Sequence, residues 1–334
     1  MVEFSSPAAA RLFLANSSCS GRDRLTVAEH GFSLRYTDPA AMLAWCEAAA
    51  VHIPPSTPAA EAGMLLAHLG NAHRVSCNFR EAETYLRQAL AKAPDNPLIL
   101  EFYASLLKDM RQFHKAFSFL RRAAMIRRGT GDNPNLVTTL MQSALVLDES
   151  GLPDKAADSV LSALETIGLM APSDERERLA RAAIQNLATY LVNAGKPQKA
   201  LWIVGLCKER LMLGGEEVAH LKIDWLMADI SGALGEIDNA VTEYEEIRRR
   251  FAALGHAQEV AVVTLDLARL LLKPRPLQAR QEALSVAPIL DSLGIPPDAR
   301  ERKLLAEVVE KGSEAALLEL STILRYKALA HALA

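Results

Sequence analysis

Seven positions of this chain recur at a constant offset. Leu66, Leu69, Gly70, His73, Ala82, Leu86 and Ala89 return 34 residues later as Leu100, Tyr103, Ala104, Leu107, Ala116, Leu120 and Ala123. Leu66, Leu69 and His73 are spaced by three and four residues, as are Ala82, Leu86 and Ala89, the spacing that lines one face of a helix. Each copy therefore reads as two consecutive amphipathic helices joined by a tight turn. A unit of this length cannot bury its apolar face alone, so it must stack on further copies. The fold class expected is all-α, a stack of antiparallel helix hairpins.

Taking the small residue after each inter-helix turn as an anchor gives Ala82, Ala116, Ala156, Ala200 and Ala240, with steps of 34, 40, 44 and 40. The later units keep the pattern while their helices or connections lengthen. Helix punctuation agrees: Pro94 stops a helix, Asn96 caps the next with Pro97 at its first position, and Asn133 with Pro134 does the same. Gly151 before Pro153 and Gly195 before Pro197 mark turns. The boundaries expected are a flexible tail over 1–21, a degenerate opening hairpin over 22–55 with Asp38 as a cap, and repeats at about 60–96, 97–133, 134–172, 173–215, 216–255 and 256–294. The sixth of these has Lys273-Pro274-Arg275-Pro276 at its turn and no small residue in register. A capping hairpin over 296–331 closes a single array that begins at residue 22.

Half of the residues are hydrophobic but only 5% are aromatic, a composition suited to close-packed helices rich in Ala and Leu. Lys plus Arg number 37 against 40 Asp plus Glu, and no long run of either sign occurs, which argues against a nucleic-acid partner. Arg248, Arg249 and Arg250 read as a solvated helix end, paired along their own helix with Glu243, Glu245 and Glu246. Cys19, Cys46, Cys77 and Cys207 form no CxxC pair and read as reduced, buried thiols. Glu3 and Arg11 interrupt the apolar start, so no signal peptide fits, and no apolar run is long enough for a bilayer. A cytoplasmic location without membrane contact is expected.

The chain carries no phosphate-binding loop, dinucleotide fingerprint, zinc helix or nucleophile elbow, and no cofactor, metal or catalytic residue is assigned. His68 and His73 are five apart, on different helical faces, whereas helix-borne ligand pairs sit three or four apart. His73 reads instead as a packed, hydrogen-bonded core group. Trp45 and Trp202, on second helices, are expected in the core.

The recurring residues resemble the tetratricopeptide-repeat (TPR) family. Its pattern W-x2-L-G-x2-Y, A-x3-F, P is similar to Leu66-x2-Leu69-Gly70-x2-His73, Ala82-x3-Leu86, Pro94 here. The resemblance implies a right-handed α-solenoid whose first helices line a concave groove. Its longer units look like bacterial signalling arrays, though no DNA-binding, kinase or protease module is visible. Carrying the family's groove positions over gives Met64, Ala67, Asn71, Arg74 and Val75, then Leu98, Glu101, Ser105, Lys108 and Asp109. Thr138, Met141, Leu145, Asp148 and Glu149 follow, then Ala182, Gln185, Thr189, Val192 and Asn193, and finally Lys222, Trp225 and Asp229. The partner-binding residues chosen from these are Asn71, Arg74, Ser105, Lys108, Asp148, Gln185, Lys222, Trp225 and Asp229.

The family's two-carboxylate clamp for chaperone tails does not fit. From the first repeat only Asn71 matches, and from the third only Asn186 and Lys222. The function expected is a non-enzymatic adaptor holding a peptide or protein segment in a signalling or regulatory complex. The alternative is a peptide- or ligand-sensing subunit that controls an effector on another chain. An enzyme with a site between repeats, built on Asp148, Glu149 and Arg74, is the third class. Self-association through an apolar end face is compatible with all three.

Overall fold

In a computed structural model, residues 6–16, 20–35, 38–51, 53–212 and 217–332 are described. Among them the only regular structure is helical. The helices are α1 (Pro7–Asn16), α2 (Gly21–Ser33), α3 (Pro39–Ala50), α4 (Ala59–Val75), α5 (Phe79–Lys92), α6 (Pro97–Asp109), α7 (Phe113–Thr130), α8 (Asn133–Glu149) and α9 (Pro153–Gly168). They continue with α10 (Asp174–Asn193), α11 (Pro197–Met212), α12 (Glu217–Ala233), α13 (Ile237–Ala253) and α14 (Ala257–Leu271). The last are α15 (Pro276–Leu284), α16 (Ala287–Ser292), α17 (Arg300–Lys311) and α18 (Glu314–Ala332). The contacts divide the chain into two units, one up to Ala183 and one from Ile184.

In the first unit α4–α5, α6–α7 and α8–α9 are hairpins, and each new first helix packs on the preceding second helix. The two helices of a pair have different duties. Second helices bury one stripe, as α5 does with Ala82, Leu86 and Ala89, whereas α6 is buried almost all round. All five anchor alanines, Ala82, Ala116, Ala156, Ala200 and Ala240, are fully buried. Gly70 shows why a small residue recurs: a Cβ there would sit 2.7 Å from Leu86 Cγ, so its absence lets α4 and α5 approach.

The inter-helix turns repeat one hydrogen bond. The amide N–H five residues on reaches back to a carbonyl in Asn78→His73 (2.8 Å), Gln112→Leu107 (2.7 Å), Leu152→Leu147 (2.9 Å) and Lys196→Leu191 (2.8 Å). This closure needs a left-handed residue. Gly151 and Gly195 supply it, but in the first two repeats Cys77 (φ 62°) and Arg111 (φ 58°) adopt it despite their side chains.

The flexible tail expected over 1–21 is corrected for residues 7–16, which form α1; residues 1–5 and 17–19 lie outside the described residues. Ala10 and Leu14, one turn apart, are fully buried with Trp45 and Ala49 of α3. Arg24, only 1% exposed, donates to the carbonyls of Leu14 (2.6 Å) and Val51 (2.6 Å), tying α1 to the end of α3. Ala10, Leu14 and the long-range Arg24 help to hold this helix, and two buried apolar positions span too few turns to read as a period.

In the second unit α12–α13 is a hairpin and α14 packs on α13. The partner of α14 is broken into α15 and α16, with Pro288 near the start of α16. The terminal pair departs from the preceding pattern. There α17 packs on α15, and α18 lies along α14, in the row of first helices.

Several local expectations are also corrected. Trp45 is buried, but Trp202 is 67% exposed, together with Leu206 on the same helix. Ala200, Val204 and Leu211 form the buried stripe of α11, and Trp202, two residues from Ala200, points about 200° away from it. Cys46 is buried, and burial pushes its thiol up to about 12. Cys77, however, is exposed and Cys207 half-buried, while Cys19 lies outside the described residues. Of the arginine triplet, Arg249 pairs with Glu246 on its own helix, while Arg248 reaches Glu282 on α15 (2.6 Å) and Arg250 reaches Asp224 on α12 (3.1 Å).

Candidate functional site

The last turns of α4, α6 and α8 bring charged positions of three successive repeats into one ladder. Arg74 Nη1 lies 2.7 Å from Asp109 Oδ2, Lys108 Nζ lies 3.0 Å from Asp109 Oδ1, and the same Nζ lies 3.6 Å from Glu149 Oε1. Arg74 Nε also donates to Asn71 Oδ1 (2.9 Å), which fixes the guanidinium at the head of the ladder. The carboxylates and Arg74 keep about a fifth of their side-chain surface in water, whereas Lys108 and Asn71 are buried. Signs alternate along it, so the row is electrically balanced yet densely polar.

The sequence-derived residues of this unit divide accordingly. Asn71, Arg74 and Lys108 meet in the ladder. Ser105 is half-buried and donates to the Glu101 carbonyl of its own helix (2.9 Å), and Asp148 is half-buried beside Glu149. Glu101, carried over as a groove position, is instead buried. Its carboxylate takes Arg127 Nε and Nη2, both at 2.9 Å, and the Thr139 hydroxyl. Arg127 in turn reaches Asp132 (2.8 Å), so the cluster clasps α6, α7 and α8 from within. Burial raises the Glu101 carboxyl above its ordinary range, against the lowering effect of Arg127 and Thr139.

The two histidines of α4 are core groups. His68 sits against the rings of Phe32 (5.5 Å) and Phe102 (5.7 Å), and burial lowers its pKa to about 4. His73 stacks on Tyr85 at 5.3 Å, but the hydrogen bond expected at its ring is absent at Nδ1, which is buried without a partner. Among the described residues no cluster of three or more His, Cys, Asp or Glu is arranged to hold a metal ion.

In the second unit Gln185 and Lys222 are half-buried on α10 and α12. Trp225 and Asp229, one turn apart on α12, join a larger polar cluster. Trp225 Nε1–H donates to Asp266 Oδ2 of α14 (3.1 Å), and Ser321 of α18 donates to Asp266 Oδ1 (3.1 Å). Arg325 of α18 forms an ion pair with the same carboxylate and lies over the Trp225 indole, 4.8 Å from its centroid. The Tyr244 hydroxyl donates to Asp229 Oδ1, and Arg269 lies 3.9 Å from Asp229.

The electrostatics follow from this crowding. Burial, and then repulsion from Asp266, raise the Asp229 carboxyl above its ordinary value. Burial and the same two carboxylates push the Tyr244 phenol well up. For Arg269 burial opposes the charge, but Asp266 and Asp229 outweigh it and hold the guanidinium above its usual value. Asp266, Tyr244 and Arg325 were not legible as site residues. The one available signal was a lone carboxylate inside the apolar run Val260–Leu271.

Residues 64–106 match the tetratricopeptide repeat family model. Among curated proteins no sequence relative matches the chain. Solved structures do share its fold. A Rap protein complexed with competence and sporulation factor is 12% identical, with TM-score 0.59 over 92% of this chain and 87% of that one. The apo form of the quorum sensor NprR from B. thuringiensis is 15% identical, with TM-score 0.55 over 91% and 87%. NprR in complex with its cognate peptide NprX is also 15% identical, with TM-score 0.52 over 93% and 89%. At these identities the likeness is one of fold.

Proposed function

We propose that the chain, which matches the tetratricopeptide repeat model over residues 64–106, is a non-enzymatic adaptor whose first-helix face holds a peptide or protein segment, in a cytoplasmic signalling or regulatory complex. The observation that carries this reading is the ladder Arg74–Asp109–Lys108–Glu149. It runs across three successive first helices, is ordered by its own ion pairs, and stays partly open to water. Alternating donors and acceptors at repeat spacing suit an extended segment held by many weak contacts. They suit a duplex phosphate backbone poorly, since the row has no cationic excess. No helix among the described residues is long and apolar enough to cross a membrane.

A photo-crosslinking amino acid placed at Ser105, on the first-helix face, is expected to capture partner peptides. The same group at Met125, exposed on α7, is expected to capture none. Capture confined to position 125 would refute the assignment.

A second reading, a peptide-sensing subunit controlling an effector on another chain, draws support from the shared fold with NprR, whose structure holds a cognate peptide. A peptide that binds only the folded chain raises its melting temperature, and the rise continues with peptide concentration. Response to one sequence in a peptide panel favours the sensor, and a response to none favours a constitutive scaffold.

A further inference from the structure

The reversed terminal pair places a long helix where the array would otherwise continue its row of first helices. α18 is held there by Leu317, Leu320 and Leu324, all fully buried, and by Gln258 Nε2, which donates to the Leu324 carbonyl (2.9 Å). The next residue, Arg325, keeps 43% of its side chain exposed while its guanidinium reaches inward to Asp266, which is 2% exposed.

The receiving niche has the features that select a guanidinium. A buried carboxylate is oriented by two donors, Trp225 Nε1–H and Ser321 Oγ, so its remaining lone pairs face Arg325. An indole face lies beneath the cation, and a planar guanidinium can stack on it while bonding the carboxylate at its edge. Asp229 and Asp266 bring two carboxylates together here, paired with Arg269 and Arg325 respectively. An empty niche would leave a buried carboxylate with incomplete compensation, which strongly favours uptake of another cation.

We propose that Trp225, Asp229 and Asp266 form an arginine-binding site on the first-helix row, that Arg325 is its resident occupant, and that an arginine side chain of a partner segment enters by displacing Arg325. Displacement moves the Arg325 side chain, while the buried Leu317, Leu320 and Leu324 hold α18 in place. The inference rests on the reading of the first-helix row as a recognition face, and it specifies one side chain of the partner.

The test uses the full chain and N-acetyl-arginine methylamide, with the lysine counterpart as control. The Trp225 Nε1–H resonance, assigned by its loss in Trp225→Phe, reports the niche. In Arg325→Ala the arginine probe is expected to shift that resonance saturably, while the lysine probe does not. Wild type should require about tenfold more probe or greater, because Arg325 competes. Arg325→Ala combined with Asp266→Asn should not respond. Absence of a response in Arg325→Ala, an equal response in the double variant, or wild-type binding as tight as that of Arg325→Ala would each overturn the proposal. Crosslinking at Ser105 is independent of this niche, so failure here leaves the adaptor reading standing on its own test.

Discussion

Glu101 of α6 and Arg127 of α7 face each other through two parallel hydrogen bonds of 2.9 Å inside the helix stack. Fork-to-fork geometry of this kind is the strongest form a carboxylate–guanidinium pair takes. Removing one partner leaves the other charge buried and uncompensated. Arg127→Met should destabilise the chain by about 3–5 kcal/mol. Combining it with Glu101→Leu should recover much of that loss, because the pair itself repays little more than its own desolvation. Urea denaturation of the two single variants and the double variant measures both; additive losses would show that the pair does not act as a unit.

His68 makes stability depend on pH. Its folded pKa is lowered to about 4 by burial, below its unfolded value, so the unfolded chain binds more protons in the interval between them. Stability is therefore expected to fall as pH drops from about 6.5 toward 4, by up to about 3 kcal/mol. His68→Leu, placed between Phe32 and Phe102, should flatten that interval. Melting curves of both proteins across the range would reveal a contrary slope.

Gly70 and Arg111 call for opposite substitutions. Gly70→Ala adds a methyl that meets Leu86 Cγ at 2.7 Å, and the overpacking should cost about 1–3 kcal/mol. Arg111 holds a left-handed backbone that the equivalent turns assign to Gly151 and Gly195. Arg111→Gly removes a penalty of about 1–2 kcal/mol, partly offset by the greater freedom of unfolded glycine. Thermal unfolding should rank Arg111→Gly at or above wild type and Gly70→Ala below it.

Asp109 bridges Arg74 and Lys108, so Asp109→Asn disconnects the ladder while preserving its shape. Since the group is partly hydrated, the stability loss should stay near or below about 1 kcal/mol. Peptide capture at Ser105 should nonetheless weaken. A large loss of melting temperature would show that the ladder serves mainly to hold the fold.

The helix-hairpin grammar was legible in the residues because a repeat writes the same neighbour contacts many times. Ala82 through Ala240 were found by spacing alone and are all fully buried. Orientation within a helix was equally available at Trp202, whose offset from Ala200 turns it toward water. What tertiary structure alone decided lies where the period stops. Glu101 and Arg127 are 26 residues apart with no shared motif, and α1 has too few apolar turns to show one. The seat of α18 beside α14, and with it the meeting of Arg325, Asp266 and Trp225, depends on which face the last hairpin presents. An amphipathic stripe states that a face is buried. It does not state against which neighbour, and once the repeat register is lost only packing chooses.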